Sequence, residues 1–215
     1  MKRNASLYVG LALLLSFVVW TAVVSTVDVR PIGPLDSSVG LSTLNKAVHG
    51  LIGVNMSLYT VTDWLGLVPI FTAAGFAILG LIQLVRRRSL LKVDRSLLLL
   101  GAFYLCVIAV YVFFEKVVIN YRPVLIDGRL EASYPSSTTL LVMTVMPSAA
   151  LEIGTRVKKT VTKRLINVSI AAFVTFMVIG RICAGVHWIT DVIGGALFSF
   201  GLVLIYYRLM SYATE

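Results

Sequence analysis

Six long apolar runs constrain this chain more than any motif does. Near residues 7–24, 65–85, 96–114, 138–151, 165–180 and 188–207 the sequence carries almost no charge, and a helix of roughly 20 such residues spans the hydrocarbon core of a bilayer. The fourth and fifth runs are short. Lipid offers no partner to an open backbone N–H or C=O, so each run is expected to fold as a helix. With 58% hydrophobic and 13% charged residues, the chain has too little polar surface for an ordinary water-facing globule. The expected architecture is all-α, an integral membrane bundle of about six transmembrane helices, with residues 1–215 as one domain.

The net charge of +9 would suggest nucleic acid in a soluble chain, but its distribution follows the spans. Lys2 and Arg3, then Arg86, Arg87, Arg88, Lys92 and Arg95, then Arg156, Lys158, Lys159, Lys163 and Arg164, and finally Arg208 all fall between alternate runs, on one side. Arg30, Lys46, Lys116, Arg122, Arg129 and Arg181 fall on the other. Cytoplasmic loops carry the excess of Lys and Arg, so both termini are expected in the cytoplasm, and the basic runs read as topology signals with no nucleic-acid partner. Lys2 and Arg3 before an apolar run could pass for a secretory signal. The run Leu7–Val24 is longer than a signal core, however, and Val24-Ser25-Thr26 is a poor cleavage site, so a retained helix is expected. Cys106 and Cys183 lie at different depths, suggest neither a disulfide nor a metal site, and read as core filler.

Residues 27–64 form the first outer connection. Apolar Leu44, Ala47, Val48, Leu51, Ile52 and Met56 recur at near-helical spacing between Asn45, Lys46, His49 and Asn55, which predicts an amphipathic helix over 44–59 lying on the outer leaflet. His49 reads as an interfacial histidine. Asp63 and Trp64 read as a polar helix start with an aromatic anchor.

The chemistry-bearing residues collect in two later stretches on the same side. In Gly180-Arg181-Ile182-Cys183-Ala184-Gly185-Val186-His187-Trp188-Ile189-Thr190-Asp191, His187 and Asp191 would stand one turn apart on one face if the last helix begins at residue 187. A carboxylate fixing an imidazole tautomer, beside an arginine able to hold an oxyanion, suits nucleophilic attack on phosphorus. The same pair could instead be a wet, solvent-facing helix start. In the second stretch, Arg122 precedes Pro123, which biases it to extended backbone and ends the third span. Pro135-Ser136-Ser137-Thr138 then reads as a turn into the fourth span, whose Ser136 and Ser137 hydroxyls and free N–H groups make an anion site. Capped helix ends with scattered charges would explain each loop alone. They would not explain why cations and a His/Asp pair gather on the side that the positive-inside rule depletes.

In these residues the chain resembles the type 2 phosphatidic acid phosphatase (PAP2) family of membrane phosphatases, related to vanadium haloperoxidases. That family carries Lys-six residues-Arg-Pro, then Pro-Ser-Gly-His, then Ser-Arg-five residues-His-three residues-Asp. The third motif is matched from Arg181 through His187 to Asp191, with Gly180 in place of serine. The resemblance implies a phosphatase that needs no metal and no other cofactor. In it His187 becomes a phosphohistidine, Asp191 orients it, and Arg122, Arg181 and Lys116 hold the phosphoryl oxygens. Two positions depart from the pattern. Lys116 stands five residues before Arg122, so that Glu115 occupies the strict lysine register, and Thr138 stands where the leaving-group histidine would be.

The resemblance thus implies a lipid phosphate or diphosphate phosphatase acting at the outer face of the membrane, its partner a phosphorylated lipid. Thr138 cannot donate a proton near neutral pH, which favours a substrate with a good leaving group, a polyprenyl diphosphate such as undecaprenyl diphosphate. Glu131, Asp127 or a water could replace the missing acid. A phosphate-lipid binding protein without turnover is the alternative. A transporter would want ionisable groups near the midplane, and none is evident. The topology has a direct test: in intact cells lacking Cys106 and Cys183, Asp127→Cys is expected to react with an impermeant thiol reagent and Ser89→Cys is not. Labelling of Ser89→Cys alone would invert the orientation.

Overall fold

The computed structural model of the protein describes residues 3–213, and Lys2, counted above with the first basic group, lies outside them. Six helical spans long and apolar enough to cross a membrane are present among the described residues. They are α1 (Arg3–Thr26), α3 with α4 (Met56–Leu65 and Leu67–Arg87), α5 (Arg95–Lys116), α6 (Ser137–Arg156), α7 (Thr160–Ala184) and α8 (Ile189–Ala213), and α2 (Ser42–Ile52) lies in the first connection. The protein is an integral membrane bundle, as the apolar runs predict. A two-residue β-ribbon, β1 (Arg30–Pro31) against antiparallel β2 (Ser38–Val39), ties the same connection.

Small residues set how closely the helices meet, as expected where lipid tails match side chains in polarity and packing must supply the attraction. A Cβ on Gly10 of α1 would lie 2.8 Å from the Gly201 carbonyl oxygen of α8, and one on Gly201 would lie 2.9 Å from Leu14. The two helices therefore meet backbone to backbone. Phe17 of α1 continues the seam with Phe198 at 5.2 Å and Phe114 at 5.8 Å, edge to face, and stacks with Tyr134 at 6.3 Å between ring centroids. This aromatic cluster floors the outer connections. Tyr134 reaches back from it to exchange a 2.7 Å hydrogen bond with Thr21.

Three features differ from the expectation. The amphipathic segment is two helices, because Gly53 adopts φ 70° after α2 and the Asn55 side chain accepts from the Leu58 N–H to start α3. The face of α2 carrying Ser42 and Asn45 is buried while Leu44, Leu51 and Ile52 are exposed, so the polar face turns inward. The second span begins at Met56, earlier than the apolar run alone suggests. Cys106 and Cys183, expected as core filler, are both exposed on outer helix faces.

The two ends of the bundle differ in chemistry. At one end Asp94, just before α5, joins Gln83 and Arg87 of α4 and Arg156 of α6, and the first two hold its carboxyl below the usual range. Buried Glu152 accepts from Ser96 at 2.9 Å and from Arg156 at 2.7 Å nearby. This buried acid sits one turn from the end of α6, so it does not supply the midplane charge a transporter would need. The opposite end receives the C-termini of α1, α5 and α7 and the N-termini of α3, α6 and α8. The candidate site residues named from the sequence lie there.

Candidate active site

Asp191 is the centre of that end. Helix α8 begins at Ile189, two residues later than the expectation, because the Asp191 carboxylate folds back to accept from the Trp188 backbone N–H at 3.0 Å. That reach is the acidic half of a capping box, and it leaves His187 in the turn before the helix. The same carboxylate accepts from Asn120 Nδ2 at 2.9 Å and Ser133 Oγ at 2.5 Å. Its residue is fully buried. The pair is therefore no solvent-facing helix start: a desolvated carboxylate persists only with such a set of donors.

His187 and Asp191 do not bond directly, since Nδ1 and Oδ2 are 4.0 Å apart. Ser133 stands between them. Its Oγ donates to Asp191 and therefore accepts from His187 Nδ1 at 2.9 Å, and its carbonyl lies 3.2 Å from the same nitrogen. Two acceptors on Nδ1 place the proton there and leave the Nε2 lone pair free. Burial, reinforced by the Arg122 and Arg181 charges and opposed by the Ser133 carbonyl, holds the imidazole pKa well below its usual range. A neutral imidazole with its lone pair exposed to a substrate is a nucleophile. Nε2 is buried and has no hydrogen-bond partner among the described residues.

Both arginines are buried, with Arg181 1% and Arg122 7% exposed. Arg181 donates to Thr138 Oγ1 at 2.6 Å, to Asp63 Oδ1 at 3.1 Å and to Thr62 Oγ1 at 3.3 Å, and lies over the Tyr59 ring at 4.9 Å. Its Nε has no hydrogen bond among the described residues. Arg122 pairs with Glu131 Oε2 at 3.0 Å, an approach misaligned for hydrogen bonding, so its Nε and Nη1 also lack one. Buried guanidinium nitrogens without hydrogen bonds, near enough to His187 to act on its charge, are chemically suited to an oxyanion. Beside them, a cavity of about 450 Å³ runs between α4, α5 and α6, with Asp63, Tyr111, Ser137 and Thr138 at its polar end and Leu67, Ile70 and Ile108 along it.

Residues 113–215 match the profile of the PAP2 superfamily. A solved structure, a transmembrane PAP2-type phosphatidylglycerolphosphate phosphatase from Bacillus subtilis, superposes with a TM-score of 0.59, at 21% identity over 95% of each chain. The fold is that of the membrane PAP2 proteins. No curated protein matches the chain.

Of the residues that the PAP2 resemblance nominates, the structure brings together His187, Asp191, Arg122, Arg181 and Thr138. Ser137 opens α6 at the cavity mouth. Ser136 is buried, with its Oγ accepting from Thr139 and its N–H donating to the Asp191 carbonyl, so that N–H is already engaged. Lys116 ends α5 exposed, and among the described residues it makes no hydrogen bond or ion pair with the others. Gly180, where the PAP2 pattern has serine, is explained by packing: a Cβ there would stand 2.8 Å from Thr62.

Sequence reading did not nominate Ser133, Asn120, Asn45 or Thr190. Asn45 donates to Thr190 Oγ1 at 2.9 Å and Asn120 donates to Asp191, so α2 and the second outer connection both lock onto the start of α8. His49 holds the other side of that turn, with Nε2 3.0 Å from the Gly185 carbonyl. Ser133 yields a decisive measurement. Losing a hydrogen bond to a buried charged group costs about 1.5–3 kcal/mol, so Ser133→Ala is expected to lower kcat roughly 10- to 100-fold, and His187→Ala is expected to abolish turnover. Turnover of Ser133→Ala equal to the parent's would show that Asp191 acts on His187 without it.

Proposed function

We propose that this protein is a phosphatase of lipid phosphates that works through a phosphohistidine at His187, with a polyprenyl diphosphate as the preferred substrate. The observation that carries the reading is the set of buried nitrogens that make no hydrogen bond among the described residues, His187 Nε2, Arg122 Nη1 and Arg181 Nε, with Arg122 Nε held only by its ion pair to Glu131. Buried donors left open cost free energy unless a ligand completes them. A phosphoryl group offers oxygens to the guanidiniums and phosphorus to the imidazole. The apolar length of the adjoining cavity suits a lipid tail.

In this mechanism Nε2 attacks phosphorus while Arg122 and Arg181 hold the equatorial oxygens, where charge gathers in the transition state. The positive charge that forms on the imidazole is met by Asp191, acting through Ser133. Thr138 donates no proton, and Arg181 already occupies its hydroxyl oxygen. Expelling an alkoxide from a phosphate monoester normally draws about 10²–10⁴-fold on an acid. A diphosphate instead expels a phosphate whose last ionisation has a pKa of about 6, so it needs little protonation. The reaction is assigned to the outer face of the membrane because the basic connections cluster at the opposite end of the bundle.

Phosphate release by purified protein in detergent tests this. A polyprenyl diphosphate is expected to turn over faster than phosphatidate, and Thr138→His is expected to raise phosphatidate turnover by about 10²-fold or more with a smaller effect on the diphosphate. Equal or better turnover of phosphatidate, unchanged by Thr138→His, would contradict the leaving-group argument. Stoichiometric binding of both lipids with no phosphate released from either would favour a binding protein.

A further inference from the structure

We propose that Asp63 is the general base that hydrolyses the phosphohistidine, an inference that rests on the phosphatase reading above. In-line displacement puts nucleophile and leaving group on opposite sides of phosphorus. With His187 on one side, the lipid departs on the other, and the water that later attacks the phosphohistidine arrives through the space the lipid vacates. A carboxylate bordering that space is placed to take the proton from the water.

Three observations put Asp63 there. It lines the polar end of the cavity together with Thr138 and Ser137. One nitrogen of Arg181, Nη2, donates both to Thr138 Oγ1 and to Asp63 Oδ1, so the carboxylate sits one guanidinium nitrogen away from the residue at the leaving-group position. Its side chain is 57% exposed, whereas that of Arg181 is 2% exposed, so water reaches the carboxylate but not the arginine behind it. The other acids of the outer connections lack this placement. Glu131 is paired with Arg122 and does not line the cavity, and Asp127 is exposed at the tip of the 126–129 turn.

The step balances within the site. The water oxygen bonds to phosphorus, the phosphorus–Nε2 bond breaks and returns its electron pair to Nε2, and one water proton passes to the Asp63 carboxylate. Inorganic phosphate and neutral His187 result. Paired with a guanidinium, Asp63 is an acceptor only, so it serves the second step and gives no proton to the first. Its presence therefore fits the preference for a substrate whose leaving group needs none.

Rapid-quench experiments with a ³²P-labelled polyprenyl diphosphate separate this role from one of simply holding Arg181. Asp63→Asn is expected to keep a first-turnover burst of lipid product close to one per protein, to slow steady-state turnover about 10²-fold, and to accumulate acid-labile label on the protein. Asp63→Ala is expected to regain steady-state turnover with added formate, and Asp63→Glu to retain part of it. The proposal is overturned if Asp63→Asn slows burst and steady state together without accumulating label, or if formate does nothing for Asp63→Ala. His187→Ala is the control for the reading beneath it. If that variant labels and turns over like the parent, or the parent does neither, the phosphohistidine reading fails as well. Labelling and turnover by the parent, lost in His187→Ala, together with an unimpaired Asp63→Asn, would overturn the base assignment alone.

Discussion

The buried carboxylate of Asp191 is the interaction on which the rest of the outer end depends. A charge removed from water needs donors on every side or it neutralises, and here those donors come from separate parts of the chain. Asn120 and Ser133 lie in the α5–α6 connection, and the Trp188 N–H belongs to the turn before α8. Thr190 carries the network outward to Asn45 on α2. One carboxylate thus starts a helix, anchors two outer connections and, through Ser133, sets the proton on His187. Structure and chemistry share a single group, so loss of Asp191 is expected to disturb both.

The same economy shapes the turn that presents His187. Gly185 ends α7 with φ 65°, in the left-handed region, and a Cβ there would lie 1.9 Å from the Gly53 carbonyl oxygen. Only glycine meets both demands. The Asn55 N–H donates to the Ala184 carbonyl beside it, so the α2–α3 junction is clamped onto the α7–α8 junction. The first connection is therefore part of the site's wall, and it is the polar face of α2 that meets the bundle.

How much of this was legible in the sequence follows the range of the forces involved. Apolar runs read out the spans because lipid leaves a backbone no alternative to the helix. The third motif revealed His187, Asp191 and Arg181 because their roles are tied to short spacings. That His187 and Asp191 are bridged and do not pair directly was not legible, since whether residue 187 is helical depends on where the Asp191 side chain caps. Ser133 gave no local signal: it is a serine in a loop, brought between two later residues by the α5–α6 connection. Asp63 was visible, but as a helix start, because its partner Arg181 is distant in the chain. Lys116, taken from the family pattern at a register one residue short, ends an exposed helix turn and does not join the buried cluster.

In the proposed mechanism the buried nitrogens of His187, Arg122 and Arg181 together hold a phosphoryl group in transit. A structure of the protein with bound orthovanadate, which adopts the geometry of a phosphoryl group under attack, tests it most directly. Vanadium is expected to be bonded to His187 Nε2, with its equatorial oxygens on Arg122 and Arg181 and its outer apical oxygen facing Thr138 and Asp63. Vanadate bound away from His187, or held by the arginines with Nε2 still unengaged, would contradict it.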